Sequence, residues 1–448
     1  MSDQTESYDC IVIGGGPSGS TVATLVADAG HKVLVIERTK FPRFHIGESL
    51  MPETYWTFER LGMLPKLKDS DFVKKYSVQF VTASGRESQP FYFDERDPRE
   101  CSQTWQVLRS RFDEMLLDNA AEHGATVWQE ANVNEILLEP SETDDLPKAT
   151  GVIVTRKGEA PRRINAKVVV DATGTSAMLS KKLNIRKGDP NLRKVAIFAH
   201  YKGCTRDPGK NGGATLVLST KQNDGWFWYI PLPDDITSVG VVGDLTRLAN
   251  KMSTPEKTLD EEIANCAGLE HRMKDAQRVG EVHVISDYSY RSSRCAGDGW
   301  VLVGDAFGFL DPMYSSGVFI ALKSGEMAAD TINEALASGK PDALNLSKWG
   351  DQLTDGMQTI RKLVYAFYTP GFSFGKFVKM YPEHKDDVTA VLVGDVFRPN
   401  VDELFKPMAT MAPIPESVPL EKPRGTGGDK ETRGQGDKER EARQKQPV

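Results

Sequence analysis

The sequence predicts an α/β fold built on two sheets, and three observations predict it. The N-terminal run DCIVIGGGPSGSTVATLVADAGHKVLVIER reads as strand, glycine turn, amphipathic helix and second strand. Two later apolar strand patterns, KVVVDATGTSA and WVLVGDAFGFLDPMYSSGV, each end in a turn that carries glycine and aspartate. Between about residues 190 and 285 the texture changes to alternating segments such as KVAIFAHYKG, GATLVLST, GWFWYIPLP and TSVGVVGDL, the pattern of strands in a second sheet.

The first element is a βαβ unit of the Rossmann type. Gly14, Gly16 and Gly19 form GxGxxG, in which missing side chains let the backbone turn sharply, let phosphates approach and pack helix against strand. The helix N-terminus then faces a pyrophosphate, with Ser18 inside its first turn. Glu37 closes the second strand where a carboxylate reaches ribose hydroxyls, and Arg38 follows it at the same site. The flanking strand, the helix and Glu37 together make this a dinucleotide site, where a lone glycine turn would not.

Bulk properties set limits. A chain of 448 residues can bury a large core and divide into domains. Its net charge of -7 offers no electrostatic footprint for nucleic acid or an anionic membrane surface. No apolar run approaches the ~18 residues of a membrane helix, and the N-terminus carries no signal pattern, so a cytoplasmic enzyme is expected. The 5 cysteines are scattered without CxxC spacing, which suggests a reducing compartment and no metal site.

The later segments resemble FAD-dependent monooxygenases and their relatives, the glutathione reductase/p-hydroxybenzoate hydroxylase-like group. QVLR leads into the helix RFDEMLLDNAAEHG, where the resemblance places Arg109 near the flavin or its phosphates; a helix-capping or surface arginine is the alternative. Asp171 to Gly174 resemble the central turn near the adenosine end, and Gly304-Asp305 the turn whose carboxylate reaches the ribityl chain. The implied architecture is a discontinuous FAD-binding domain over 1–190 and 285–345 that includes an inserted substrate-side segment at about 70–110. A β-sheet substrate domain at 190–285 and a helical C-terminal part at 346–412 follow. From 413 to 448 the composition has no aromatic residue and little to bury, which predicts a disordered tail.

A narrower resemblance, to flavin-dependent halogenases of the phenol and pyrrole branch, rests on three motifs. Trp226-Phe227-Trp228-Tyr229-Ile230-Pro231 fits WxWxIP at its fixed positions Trp226, Trp228 and Pro231. The two indoles share one face of a strand, where they would exclude water and organic substrate from the flavin, or simply pack in a core. FPRFHIGESLMP, with Gly47-Glu48-Ser49, resembles the segment strapped over the flavin, and Ser49 is assigned to the cofactor site. Asp311-Pro312-Met313-Tyr314-Ser315-Ser316-Gly317 fits DPxxSSG before a helix, so the amides of Ser316 and Gly317 would hold a halide, or else the flavin's pyrimidine edge together with Val318. Tyr314 stands where tryptophan halogenases carry a glutamate, which turns the resemblance from free tryptophan toward substrates that are already electron-rich.

The resemblance also implies a pocket lysine that orients or carries the electrophilic halogen. Lys75 in DFVKKYSVQFVTASG is the candidate catalytic residue, with Lys74 on the opposite face of the same strand as the alternative. The implied reaction uses reduced FAD, dioxygen and chloride or bromide to halogenate an electron-rich aromatic, free or held on an acyl or peptidyl carrier protein. A partner flavin reductase would supply reduced FAD, since no second GxGxxG unit is present. Other readings are an FAD monooxygenase or geranylgeranyl-reductase-like enzyme, and a non-catalytic flavin-binding protein.

Overall fold

The computed structural model describes residues 6–248 and 253–424. Its larger sheet has a parallel core in the order Trp300–Leu302, Arg162–Asp171, Ser7–Ile13, Val33–Ile36, Thr126–Trp128. Ile11, Val12, Val33, Leu34, Val35 and Val168 to Val170 are buried on both faces, which is why these strands read as near-continuous apolar runs rather than alternations. A long antiparallel extension, Ala131–Glu139 and Lys148–Arg156, pairs onto Arg162–Asp171. The helix Pro17–Asp28 packs on this sheet and against the helix Ser316–Ala337, at a spacing that leaves no room for a side chain at Gly325: a Cβ there would lie 2.7 Å from the Ser18 carbonyl oxygen.

The second sheet has seven strands in the order Gln277–Ser286, Lys194–Lys202, Thr237–Asp244, Gly225–Pro231, Thr215–Ser219, Ser77–Val81, Phe91–Tyr92. The alternating segments at 190–285 therefore form strands of one sheet. That sheet is not confined to them, however: Ser77–Val81 joins Thr215–Ser219 in parallel register and brings Phe91–Tyr92 with it, so part of the segment at 70–110 belongs to the sheet itself. A parallel pairing between strands this far apart in the chain leaves no local turn signature, which is why the sequence pattern did not assign it.

Helices Gly350–Tyr368, Phe374–Met380 and Lys385–Val393 close the C-terminal side. The start of the expected disordered tail is ordered against this body. Arg291 donates to the carbonyl of Val418 at 2.8 Å, Glu421 N donates to Ser293 O at 2.8 Å, and Leu420 is buried beside Gly350. One leucine and exposed backbone groups suffice to dock the segment, although its composition is polar. The rest of that tail, 425–448, lies outside the described residues.

Candidate active site

A cavity of about 680 Å³ runs from the glycine turn and Glu37, past Arg109 and Asp305, to the indoles of Trp226 and Trp228. At one end the backbone is fixed by steric need. Gly14 sits at φ +107°, and a Cβ on it would come within 2.4 Å of Ala172 O; one on Gly19 would lie 2.0 Å from Gly14 O. Gly16 caps the helix Pro17–Asp28 and faces the cavity, as do Ser18 and the exposed Arg38. The Glu37 carboxylate is braced by Gly15 N at 2.9 Å and by Thr39 N and Oγ1 at 2.9 and 2.6 Å.

Arg109 lines the cavity, and most of its donors are committed. Nε and Nη2 hold Asp113 at 2.7 and 3.0 Å, and Nη1 reaches the carbonyls of Ile46 and Gly47. Arg109 thus ties down the strap segment from within the wall of the cavity. A guanidinium that sequence reasoning missed stands nearer the glycine turn: Arg43 Nη2 lies 3.6 Å from where a Gly16 Cβ would be, and Arg43 also binds Asp113 at 3.1 Å. Its signal was present in FPRFHIGES, as a cation two residues before the strap histidine. Glu48 was likewise passed over. Its carboxylate is buried in the cavity wall, one oxygen 2.6 Å from His200 Nε2 and the other without a partner among the described residues.

Four of the motif residues stand back from the cavity wall. Asp171 does not face the cavity: its oxygens accept from Thr173 N, Thr173 Oγ1 and Leu179 N, so the carboxylate builds the turn, and Ala172 to Gly174 form the wall. Gly304 lies behind the wall at φ +57°, its N–H bonded to Ser324 Oγ, while Asp305 next to it does face inward. Ser316 is buried at the start of its helix, and the wall is made by its neighbours Ser315, Gly317 and Val318. Pro231 ends its strand away from the cavity. In each case one residue of a turn takes the fold's own hydrogen bonds or packing and its neighbour is left for the ligand, a division that a motif cannot display.

At the far end Trp226 and Trp228 stand side by side with ring centroids 6.1 Å apart. Trp228 fits because residue 240 is glycine, where a Cβ would lie 2.3 Å from the indole, and its Nε1 donates to Ser238 Oγ at 3.0 Å. Trp226 Nε1 donates to Tyr368 Oη at 2.9 Å, and Tyr368 donates to Asp311 Oδ2 at 3.1 Å. Burial pushes Asp311 up to about 7 and Asp305 up to about 6. Tyr314 turns its hydroxyl to Leu363 O at 3.0 Å.

Lys75 and Lys74 separate as a strand requires: Lys74 is exposed and Lys75 is buried. Lys75 does not itself line the flavin-side cavity. Its Nζ donates to Ser49 Oγ at 2.8 Å and to Leu50 O at 2.9 Å, and Ser49, which does line the cavity, shares a 2.8 Å bond with Thr215. Burial lowers the amine to about 7.

An elongated cavity that begins at a glycine-turn helix N-terminus and ends on paired indoles suits a dinucleotide at one end and a shielded ring at the other. The residues fit FAD. Comparison with known proteins shows the same: residues 9–95 and 94–371 match the tryptophan halogenase family, and the chain belongs to the flavin-dependent halogenases, enzymes that use FAD. It is 32% identical over 442 residues to the 1H-pyrrole-2-carbonyl-[peptidyl-carrier protein] chlorinase of Pseudomonas fluorescens, covering 94% of this chain and 96% of that protein. It is also 32% identical to the corresponding brominase of Pseudoalteromonas luteoviolacea, over 88% and 93% of the two chains. Among solved structures, the flavin-dependent brominase Bmp2 superposes with a TM-score of 0.78 at 30% identity, covering 90% of this chain and 97% of that one. The myxobacterial chondrochloren halogenase CndH gives 0.75 at 31%, over 91% and 97%.

Proposed function

We propose that this enzyme halogenates a phenol- or pyrrole-type ring with chloride or bromide, and that Lys75 presents the halogen. The observation that carries this reading is the position of Lys75, a buried amine one hydrogen bond beyond the wall of the flavin cavity. Reduced FAD, when bound, would supply the two electrons that bring dioxygen to the peroxide level, at which it can oxidise halide to hypohalous acid. The protein's part is to hold, shield and deliver. Gly14, Gly16, Ser18, Gly19, Glu37 and Arg38 seat the dinucleotide, with Arg43 as the cation nearest the helix N-terminus. The Gly317 amide, in the first turn of Ser316–Ala337, offers the halide a donor and a helix dipole. Trp226 and Trp228 keep water and organic molecules from the reactive end, so only a small oxidant such as hypohalous acid passes onward.

At Lys75 the ammonium orients hypohalous acid by hydrogen bonding, or the neutral amine carries the halogen as a haloamine; an amine lowered to about 7 populates both forms near neutrality. Tyr314 in place of an acidic residue leaves the ring to supply its own nucleophilicity, which fits phenols and pyrroles. The two relatives named for carrier-bound pyrrole support a carrier-protein thioester as the natural form of the substrate. A separate flavin reductase completes the system, since the chain has a single dinucleotide fingerprint. The test mixes protein, FAD, a generic flavin reductase with NADH, oxygen, bromide and monochlorodimedone, with mass spectrometry of the products. Halogenated product that depends on both protein and halide is expected. Oxygenated product would assign the enzyme to the monooxygenases.

A further inference from the structure

We propose that His200 and Glu48 form the inlet through which protons reach the flavin cavity during turnover. The inference rests on the halogenase reading and gives that reaction its proton source. Reduced FAD in its anionic form, dioxygen, a halide ion and two protons become oxidised FAD, hypohalous acid and water. Dioxygen takes two electrons from the flavin and two from the halide. The hydrogen of the reduced flavin and the two added protons end in hypohalous acid and water. Each turnover therefore draws two protons into a space whose reactive end Trp226 and Trp228 shield from water, so a group in the wall has to carry them.

The wall contains a carboxylate joined to an imidazole. Glu37 is braced by Gly15 and Thr39, whereas Glu48 Oε1 lies 2.6 Å from His200 Nε2. Glu48 is 1% exposed, and its Oε2 is buried with no partner among the described residues. The His200 side chain keeps 13% of its surface exposed, so the pair runs from solvent to cavity. Its place on the strand Lys194–Lys202 follows from the period of two: Ala196 and Phe198 line the cavity, and His200 continues their face, in unbroken register with Thr237–Asp244. Phe44 of the strap packs edge-on to the imidazole, ring centroids 5.5 Å apart, and Val107 N donates to Glu48 O at 2.7 Å, so both members are held in place. The cations that bind the strap are engaged with other groups, Arg109 with Asp113 and the Ile46 and Gly47 carbonyls, Lys75 with Ser49 and Leu50. His45 also lines the cavity, but its Nδ1 turns back to Ile46 O at 2.7 Å.

In the relay, the imidazolium form of His200 gives its Nε2 proton to Glu48 Oε1. The N–H bond breaks as the carboxyl O–H bond forms, and an ion pair becomes a neutral pair. The terminal torsion of glutamate is broad, so rotation of the carboxyl turns its O–H from the imidazole toward the cavity. Delivery of the proton restores the carboxylate. A flip of the half-exposed ring then lets Nε2 recover a proton from solvent before the second transfer.

His200→Ala and the isosteric Glu48→Gln test the inlet, with imidazole as the probe. Calorimetry on flavin-free His200→Ala protein should detect imidazole binding in the space left by the ring, weakened about ten-fold when Glu48→Gln is added, the order expected for loss of a charged hydrogen-bond partner. Full-length protein in excess over reduced FAD is then mixed with oxygen and bromide, and the return of the oxidised flavin's absorbance is timed in a single turnover. Each single variant should slow it by about ten-fold or more. Imidazole should restore the rate of His200→Ala in a saturable way and leave Glu48→Gln slow, a difference that a merely structural pair would not produce. Parent rates in either variant, no rescue of His200→Ala, or equal rescue of both overturns the proposal. If His200→Ala fails to fold, the rate of Glu48→Gln decides alone. Trapping of hypohalous acid by taurine in the parent protein tests the halogenase reading separately. Reoxidation that releases hydrogen peroxide instead also consumes a proton, so a parent that makes no hypohalous acid would refute that reading and leave the test of the inlet intact.

Discussion

Lys75 Nζ donates to Ser49 Oγ at 2.8 Å, which couples a buried amine to the wall of the flavin cavity through a single hydroxyl. If Lys75 delivers the halogen, Lys75→Ala should abolish arene halogenation, by about 10²-fold or more, the order of effect seen when a positioned catalytic group is removed. FAD binding and hydrogen peroxide release should persist. Product mass spectrometry beside a peroxide assay checks both, and retained halogenation would remove Lys75 from the mechanism.

The same burial makes stability depend on pH. With the folded-state amine lowered to about 7 and the unfolded one near 10.5, the unfolded chain binds more protons between these values. The penalty is fully present below pH 7 and is relieved as pH rises toward 10.5, to a limit on the order of 5 kcal/mol at ~1.4 kcal/mol per unit, less what the two hydrogen bonds return. Lys75→Met lacks this dependence. Its stability relative to the parent should be greatest at pH 6 and decline by pH 9.5, measured from denaturant midpoints. A constant difference would show that the amine stays charged when folded.

Tyr368 joins Trp226 to Asp311, so Tyr368→Phe leaves an indole N–H and a buried carboxyl oxygen each short of a partner. A cost of roughly 1–3 kcal/mol is expected. Loosening of Trp226 should also raise the share of reducing equivalents lost as hydrogen peroxide. Both can be read, from denaturant curves and from the ratio of peroxide to halogenated product. Unchanged coupling would assign the relay to stability alone.

Trp228 packs over Gly240 at the end of the flavin cavity. Trp228→Ala should cost about 3–5 kcal/mol, as for other large-to-small core changes, and open the site to solvent. Oxygen consumption should then outrun halogenation although FAD still binds. Tight coupling in this variant would mean that the indoles serve packing rather than exclusion.

Gly19→Ala would place a methyl carbon 2.0 Å from Gly14 O, inside the glycine turn. Relief requires the helix Pro17–Asp28 to move away from the strand before it. FAD affinity should fall at least ten-fold, measured by fluorescence titration, with little loss elsewhere in the fold. Equal affinity would show that the helix N-terminus contributes little to cofactor binding.

The parts legible in the sequence were those written in local periodicity or in a short turn. The βαβ unit, the helix Arg109–Glu122 and the strand Gly225–Pro231 each carry their own pattern, because a strand alternates by two, a buried parallel strand is apolar throughout, and a tight turn near a phosphate excludes Cβ atoms. The same local logic placed Lys74 and Lys75 on opposite faces.

What the tertiary structure alone decided is which neighbour within each motif meets the cavity and what lies behind it. Asp171 and Ser316 turned inward to serve the fold while Ala172 and Gly317 faced the ligand space, and Arg109 spent its donors on Asp113 and the strap and left Arg43 nearest the helix N-terminus. The choice of Lys75 over Lys74, and its bond to Ser49, arose from packing Val73–Lys75 against Thr104–Gln106. Sequence determined the residue types and their local faces. Only the packed chain, by burying one polar group and leaving the next exposed to a shared space, could set their partners, because hydrogen-bond satisfaction and desolvation depend on segments far apart in the sequence.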